Sequence, residues 1–344
     1  MNKRTLFIDY LKIFASFAVV VLHVSSQNWY TTDVITTEWQ IFHIFDSLVR
    51  WSVPVFVMMS GALFLGRQHA LKKLYATNIL RLVTAFLFWS LIYLIVLGGH
   101  SESLLINITS GYYHMWFIPM MIGLYICVPV LQKIAEPENT TRYFLVVAFM
   151  LVFIFPQVGE LISDFGSRQC IEIYSLIRQC VGRMNISLVL GYTGYFVGGY
   201  YLYKTELSKR SRMVVYVLGI LGALTTIGLE AYLAMSTHMA DGTYYGYFNV
   251  NVLLESIAVY VWFKYNVKEN LKWDNVVKKI SKCTFGVYLI HVLILESLER
   301  YIGLNTLSFH PLLSVLLISF FVFGVSLMIS YIINKLPCIN KFIV

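Results

Sequence analysis

The sequence predicts an all-α polytopic membrane protein, a helix bundle of about ten transmembrane helices. Hydrophobic residues make up 58% of its 344 positions, and only 13% are Asp, Glu, Lys or Arg, which is about half the usual share for a soluble domain. The apolar runs are long enough to cross a bilayer, and they do not alternate with polar residues as the strands of a membrane barrel would. Because lipid offers no hydrogen-bond partners, each run is expected to be a helix.

Ten apolar runs follow one another and leave no room for a soluble domain between them. They lie at about 7–25, 40–65, 79–97, 115–132, 143–158, 184–203, 213–234, 247–266, 283–300 and 311–334. Residues 1–344 are therefore expected to form a single integral-membrane domain.

The first run contains two ionisable residues, Lys12 and His23. Their spacing of eleven places them about 16 Å apart on one face of a helix, which Asp9 shares. Charged groups at membrane depth indicate function. The alternative is that Asp9 and Lys12 neutralise each other as an i,i+3 pair and that His23 is an interfacial residue.

Three later runs also carry polar or aromatic side chains of interest. Asp46 and Arg50 interrupt the second run at helical spacing, as an ion pair or as functional groups. His114 begins the fourth run beside Trp116, whose own position is typical of an interfacial anchor. His291 lies midway through the ninth run, where it could form a hydrogen bond between helices. Together these residues indicate a polar interior that holds water or a ligand.

The distribution of positive charge predicts the orientation. The net charge is +8, and the Lys and Arg residues lie mainly in short connections between apolar runs, so binding of nucleic acid is rejected. Twenty of the 26 fall on the side of the N-terminus, among them Lys72, Lys73 and Arg81, and four fall on the other side. The positive-inside rule then predicts an even number of spans with both termini in the cytoplasm.

The cysteines do not have the spacing of a metal site, and no metal is expected. The chain contains Cys127, Cys170, Cys180, Cys283 and Cys338. Cys170 and Cys180 share the longest outer connection. One straight helix would hold their sulfurs about 15 Å apart, too far for a disulfide, whereas a hairpin would allow one.

The first run is suited to acyl transfer across a membrane. Lys12 at its inner end could hold a donor phosphate as a point charge, assisted by Arg81, Lys72 and Lys73 on the same side. A neutral His23 at the outer end could remove a proton from an acceptor hydroxyl. The distance between them is comparable to the reach of a pantetheine arm.

Several motifs, in order along nearly the whole chain, resemble the acyltransferase-3 family of ten-helix bacterial membrane proteins. The closest likeness within it is to standalone surface-polysaccharide O-acetyltransferases, such as the type acting on enterobacterial common antigen. The motifs are Ile8-Asp9-Tyr10-Leu11-Lys12 with His23, Ser52-Val53-Pro54-Val55-Phe56 with Ser60-Gly61, His114-Met115-Trp116-Phe117 with Tyr125 and Pro129, Tyr195-Phe196 with Gly198-Gly199, and Ser281 with Phe285-Gly286-Val287-Tyr288-Leu289-Ile290-His291.

The resemblance implies that His23 is the essential catalytic residue and that position 12 contacts the acyl-CoA donor. The family has Arg at the position of Lys12. The substitution keeps the charge but loses the planar, two-pronged phosphate contact. Asp9, Arg50, His114, Trp116 and His291 are expected to line or support the channel.

The resulting hypothesis is an O-acyltransferase of the bacterial inner membrane. It would transfer an acyl group, most simply acetyl from acetyl-CoA, to a hydroxyl of a cell-surface or lipid-linked glycan. His23 would either activate the hydroxyl or first take the acetyl group as acyl-imidazole. The alternatives are a transporter or flippase of glycan or small polar substrates, which polar residues at the midplane suit equally well, and a catalytically silent sensor or scaffold.

Overall fold

The computed structural model of the chain describes residues 6–67, 70–99, 103–184, 187–268, 272–337 and 343, and within these ranges no strand occurs. Eight helical segments in this part of the chain are long and apolar enough to cross a membrane, when Thr37–Phe64, which contains a short turn, is counted as one segment. The predicted all-α class with several membrane-spanning helices is therefore confirmed. The number of ten spans, the cytoplasmic termini and the single domain stay predictions.

The helices are numbered in chain order. They are α1 (Leu6–Ser25), α2 (Thr37–Ser47), α3 (Ser52–Phe64), α4 (Leu71–Leu97), α5 (Leu104–Ser110), α6 (Tyr113–Ala135), α7 (Glu138–Phe165), α8 (Arg168–Gly182), α9 (Ser187–Lys204), α10 (Lys209–Thr237), α11 (Val250–Asn266), α12 (Asp274–Ile302) and α13 (Pro311–Lys335).

The chain divides into two compact units. The first comprises Met1–Val49, His69–Cys127 and Asn266–Val344, and the second comprises Arg50–Gln68 and Val128–Tyr265. The first unit contains α1, α2, α4, α5, the start of α6, α12 and α13. The second contains α3, the end of α6 and α7 to α11.

In the first unit, α1 packs against α2, α12 and α13. A hydrophobic cluster in the same unit joins α4, α6 and α12, with Trp89, Tyr93, Met115, Leu289 and Ile290 among its buried members. This cluster fixes the start of α6 and the middle of α12, because large side chains of all three helices interlock there. It thereby positions the residues that neighbour Met115 and Ile290 in the sequence.

The predicted run at 40–65 is divided between two helices. α2 ends at Ser47, the next four residues form turns, and α3 begins at Ser52. Pro54 accounts for the break, since its ring would clash with the carbonyl four residues earlier in an unbroken helix. In the structure, Pro54 lies in the first turn of α3, where proline is tolerated.

The predicted run at 143–158 is longer than expected, because α7 extends over Glu138–Phe165. Pro156 does not end the helix. The turn before it, Phe149–Ile154, is π-helical, and such a widened turn accommodates local disturbance of the hydrogen-bond pattern within a continuous helix.

In the second unit, α3 and α9 pack closely through two glycines. Gly61 lies against the carbonyl of Phe196, and Gly199 lies against the backbone of Met58. α9 also packs against α7, and α8 packs against α7, where the hydroxyl of Tyr174 donates to the carbonyl of Phe155 at 3.3 Å. Small residues let the α3 and α9 backbones approach each other.

Cys170 and Cys180 both lie on α8, a continuous helix, and both are free and exposed. The hairpin that would have allowed a disulfide is therefore wrong, because the helix holds the two sulfurs too far apart. Cys127 and Cys283 are also free, and Cys338 lies outside the described residues.

Candidate active site

Three histidines from three separate apolar runs meet in the first unit. The ring centroid of His23 lies 5.0 Å from that of His291 and 6.1 Å from that of His114, and the rings of His114 and His291 are 5.3 Å apart. We call these three residues the histidine cluster. His114 and His291 are buried, and His23 is half-buried.

His291 is held by the backbone of its own helix. Its Nδ1 lies 2.7 Å from the carbonyl of Tyr288 and 3.1 Å from that of Val287. On the next turn, the hydroxyl of Tyr93 donates to the carbonyl of Leu289 and accepts from the amide of Leu293. An undisturbed helix would pair those two backbone groups with each other, so α4 and α12 are joined around His291.

His114 lies in the 3-10 turn Tyr113–Trp116 that begins α6. Its backbone carbonyl accepts a hydrogen bond of 2.8 Å from the hydroxyl of Tyr288. Both ring nitrogens are buried, and among the described residues neither has a hydrogen-bond partner. A buried imidazole of this kind is available to a ligand or to a neighbouring ring.

Tyr113 lies beside the histidine cluster, with its ring 5.6 Å from that of His23. Its hydroxyl is hydrogen-bonded to Glu296. Burial, together with the nearby Glu296 carboxylate, raises the pKa of Tyr112 to about 12. Tyr112 therefore keeps its proton at neutral pH and cannot serve as a base.

Asp9 and Lys12 form a charged group at the other end of α1. The hydroxyl of Ser281 on α12 donates to the carboxylate of Asp9 at 2.6 Å. Lys12, which is half-buried, lies within the electrostatic reach of Asp9. Two turns earlier on α12, the hydroxyl of Tyr10 donates to Asp274 at 3.3 Å.

α1 and α12 run parallel over this distance, because Asp9 meets Ser281 at one end and His23 meets His291 at the other. Ten residues separate Ser281 from His291, which corresponds to about 15 Å along the helix. The pair of helices thus connects a charged group to the histidine cluster, and the separation matches the value predicted for Lys12 and His23.

Arg81 is placed near the charged group. Its guanidinium carbon lies 5.5 Å from the ring centroid of Phe285, and Phe285 lies one turn after Ser281 on α12. Lys72 and Lys73 are exposed in the first turn of α4, the helix that also carries Arg81. The structure therefore arranges Lys12 and Arg81 around the same turns of α12 and leaves Lys72 and Lys73 nearer the start of α4.

Trp116 and Arg50, two of the predicted channel residues, contact aromatic side chains. Trp116 follows His114 in the same turn, but it is 40% exposed and its ring packs beside Phe117. Arg50 belongs to the second unit, where its guanidinium carbon lies 3.9 Å above the ring centroid of Tyr245. The position of Trp116 agrees with its interpretation as an interfacial anchor.

Sequence reasoning did not find Tyr93 or Tyr113 as parts of this site, and it named Ser281 in a motif without assigning it a role. Tyr113 lies beside His114, but the partners of Ser281 and Tyr113 are far away in the sequence. Tyr93 lies in an apolar run with no polar neighbour to mark it. Within the described ranges, no group of three or more His, Cys, Asp or Glu residues could hold a metal ion.

Comparison with known proteins supplies a family. The model of the acyltransferase domain, acyltransferase-3, matches residues 5–334, nearly the whole chain. No curated protein and no solved structure matches the chain.

Proposed function

The chain belongs to the acyltransferase domain family, and from this premise we propose that it is a membrane-bound O-acyltransferase of the bacterial inner membrane. Its donor is cytosolic acetyl-CoA, and its acceptor is a hydroxyl of a cell-surface or lipid-linked glycan. Ten spans with both termini in the cytoplasm complete the proposal, which follows the charge distribution of the connections.

The observation that carries the proposal is the histidine cluster, which α1 and α12 connect to Lys12. Acyl transfer from a thioester to an alcohol needs a base at the hydroxyl and a cation for the donor phosphates. The first unit contains both, at the two ends of one pair of helices. Clustered histidines also occur in proton-coupled carriers, and the family match is what favours acyl transfer here.

The residues at the charged end fit an anionic donor. Lys12 and Arg81 flank the same stretch of α12, and their charges would hold the phosphates of acetyl-CoA. Ser281 donates to Asp9 and so holds the carboxylate that lies within the electrostatic reach of Lys12. Lys72 and Lys73, exposed on the same helix as Arg81, would attract the donor over a longer distance.

His23 acts as the general base in this proposal. It accepts the proton of the acceptor hydroxyl while the oxygen attacks the acetyl carbonyl, and it then gives that proton to the thiolate that leaves as coenzyme A. The surroundings of His23 favour this route over an acyl-imidazole, because the neighbouring rings of His291 and His114 can support a protonated imidazole.

His23→Ala is the direct test. Membrane vesicles with the host's envelope glycans are supplied with radiolabelled acetyl-CoA, and the label in the glycan fraction is measured. The variant should lose at least about 100-fold in rate, since a general base contributes about 10²–10⁴-fold. His238→Asn, in an exposed left-handed position that Asn tolerates, is the matched control and should keep the normal rate.

Normal transfer by a folded His23→Ala protein would overturn the proposal. Unlabelled glycan crossing the bilayer without acetylation would instead identify a carrier. Label that remains on the protein when acceptor is withheld would favour the acyl-imidazole route over proton removal.

A further inference from the structure

The ring of His291 is oriented by backbone groups alone. Carbonyl oxygens only accept hydrogen bonds, so the Nδ1 atom that lies 2.7 Å from the Tyr288 carbonyl must carry a hydrogen. A neutral imidazole has one N–H, so the Nε2 atom of His291 holds a lone pair. Because the Nδ1 contact anchors the ring, this lone pair points in a fixed direction.

The lone pair of His291 is buried without a partner. His291 has no exposed surface, and its Nε2 atom forms no hydrogen bond with any of the described residues. Buried polar atoms are seldom left unpaired in native proteins. A donor is therefore expected to reach Nε2 at some stage of the protein's work.

The nearby tyrosine hydroxyls cannot supply that donor, since each already donates elsewhere. Tyr93 donates to the carbonyl of Leu289, Tyr288 to the carbonyl of His114, and Tyr113 to Glu296. In the part of the chain that the structure describes, the other two rings in contact with that of His291 are those of His114 and His23, and each can carry a ring N–H.

Of these two rings, His23 is the better placed. Its centroid lies 5.0 Å from that of His291, compared with 5.3 Å for His114. A direct N–H···N bond between two imidazoles needs a centroid separation of about 5 Å. His23 is half-buried, whereas His114 is buried, so the ring of His23 has more freedom to turn toward Nε2.

We propose that His291 is a positioning residue for His23. Its Nε2 accepts one ring N–H of His23, which turns the other nitrogen of His23 toward the acceptor hydroxyl. When His23 takes the hydroxyl proton, the C–O bond to the acetyl group forms and the C–S bond breaks. The same Nε2 then holds an N–H of the imidazolium until the proton passes to the thiolate. This inference rests on the proposed function.

Two substitutions at position 291 separate this role from a purely structural one. His291→Asn keeps an amide N–H near the Tyr288 carbonyl but has no acceptor at the place of Nε2. His291→Gln can place its amide oxygen near the position of Nε2, at the expense of the backbone contact. His291→Asn therefore removes only the acceptor at Nε2, and His291→Gln removes only the contact with the backbone carbonyl.

The kinetic test uses purified full-length protein in lipid vesicles with acetyl-CoA. His291→Asn should lower kcat about 100-fold with the KM for acetyl-CoA unchanged within about twofold, because the donor site is left intact. His291→Gln should stay within about tenfold of the unmodified kcat. The reverse ranking, with Asn active and Gln inactive, would show that His291 only anchors α12 and would overturn the inference.

The tautomer of the unmodified protein gives a second test that does not depend on a variant folding well enough for kinetics. In protein labelled with ¹⁵N-histidine, His291 should show a protonated Nδ1 and an unprotonated Nε2 at neutral pH, with its signal assigned by its loss in His291→Gln. A protonated Nε2 would overturn the inference.

The two proposals fail separately. Activity of His23→Ala at the normal rate removes the proposed function and this inference together. An inactive His23→Ala protein combined with normal kcat in both variants at position 291 removes this inference alone.

Discussion

Position 12 shows what a single residue contributes to the candidate site. Lys12 and Asp9 share one turn of α1, and the hydroxyl of Ser281 occupies one oxygen of the Asp9 carboxylate. A lysine presents a compact charge, whereas an arginine presents a planar fork that matches phosphate. The charge itself is therefore expected to matter more than the shape of the group that carries it.

Lys12→Met should raise the KM for acetyl-CoA about tenfold or more, because a charge-assisted phosphate contact contributes about 1.5–3 kcal/mol. Lys12→Arg should keep the KM or lower it. The measurement is the initial rate against acetyl-CoA concentration, with Lys133→Met as control, since Lys133 is exposed and paired with Glu136 in the second unit. A large loss in Lys12→Arg would mean that position 12 does not serve the donor.

The sequence identified the individual histidines of the cluster but could not predict their assembly. His23, His114 and His291 each stand out as polar residues at membrane depth. Their distances depend on how α1, α6 and α12 pack, which no local pattern records. Arg50 attracted notice for the same reason as the histidines, yet the structure places it against Tyr245 in the second unit.

At the scale of helices, hydropathy located the apolar runs, but it did not predict which runs containing a proline form one unbroken helix. Pro54 follows a break between two helices, whereas Pro156 follows a π-helical turn within a single helix. The sequence pattern around each proline is apolar, so hydropathy alone could not distinguish the two outcomes. Whether the chain can widen a turn before the proline depends on the neighbouring helices, which is tertiary information.

The contact of α3 with α9 offers a test at this scale. A Cβ at Gly199 would collide with the backbone of Met58, which cannot move aside as a side chain can. Gly199→Ala should therefore cost at least about 2 kcal/mol of stability, measured as a lower melting temperature of the purified protein in detergent.

Gly198→Ala is the matched control on the same helix. Its added Cβ would lie 3.6 Å from the nearest atom, a side-chain carbon of Leu145, which is ordinary contact. Its stability should stay the same or rise by up to about 1 kcal/mol, because alanine is a better helix former than glycine. Equal melting temperatures for the two variants would contradict the close packing of α3 and α9.

At the scale of the whole molecule, orientation in the membrane determines the direction of the reaction. The positive-inside rule predicts that the start of α1 lies in the cytoplasm and that its end, with His23, lies at the outer surface. In the proposed function, cytosolic acetyl-CoA would then meet Lys12, and an envelope glycan would meet the histidine cluster. The opposite orientation would present the cluster to the cytoplasm and leave the donor end without its substrate.

The two cysteines of α8 report this orientation directly. Cys170 and Cys180 are exposed and free, and they lie in the connection expected on the outer side. A membrane-impermeant maleimide applied to intact spheroplasts should label both without prior reduction, because one helix keeps their sulfurs apart. Lys133→Cys, at an exposed site on the expected cytoplasmic side, should be labelled only after permeabilisation, in protein whose five native cysteines have been replaced by serine. The reverse pattern would place His23 on the cytoplasmic side, and the acceptor would then have to be a cytosolic alcohol.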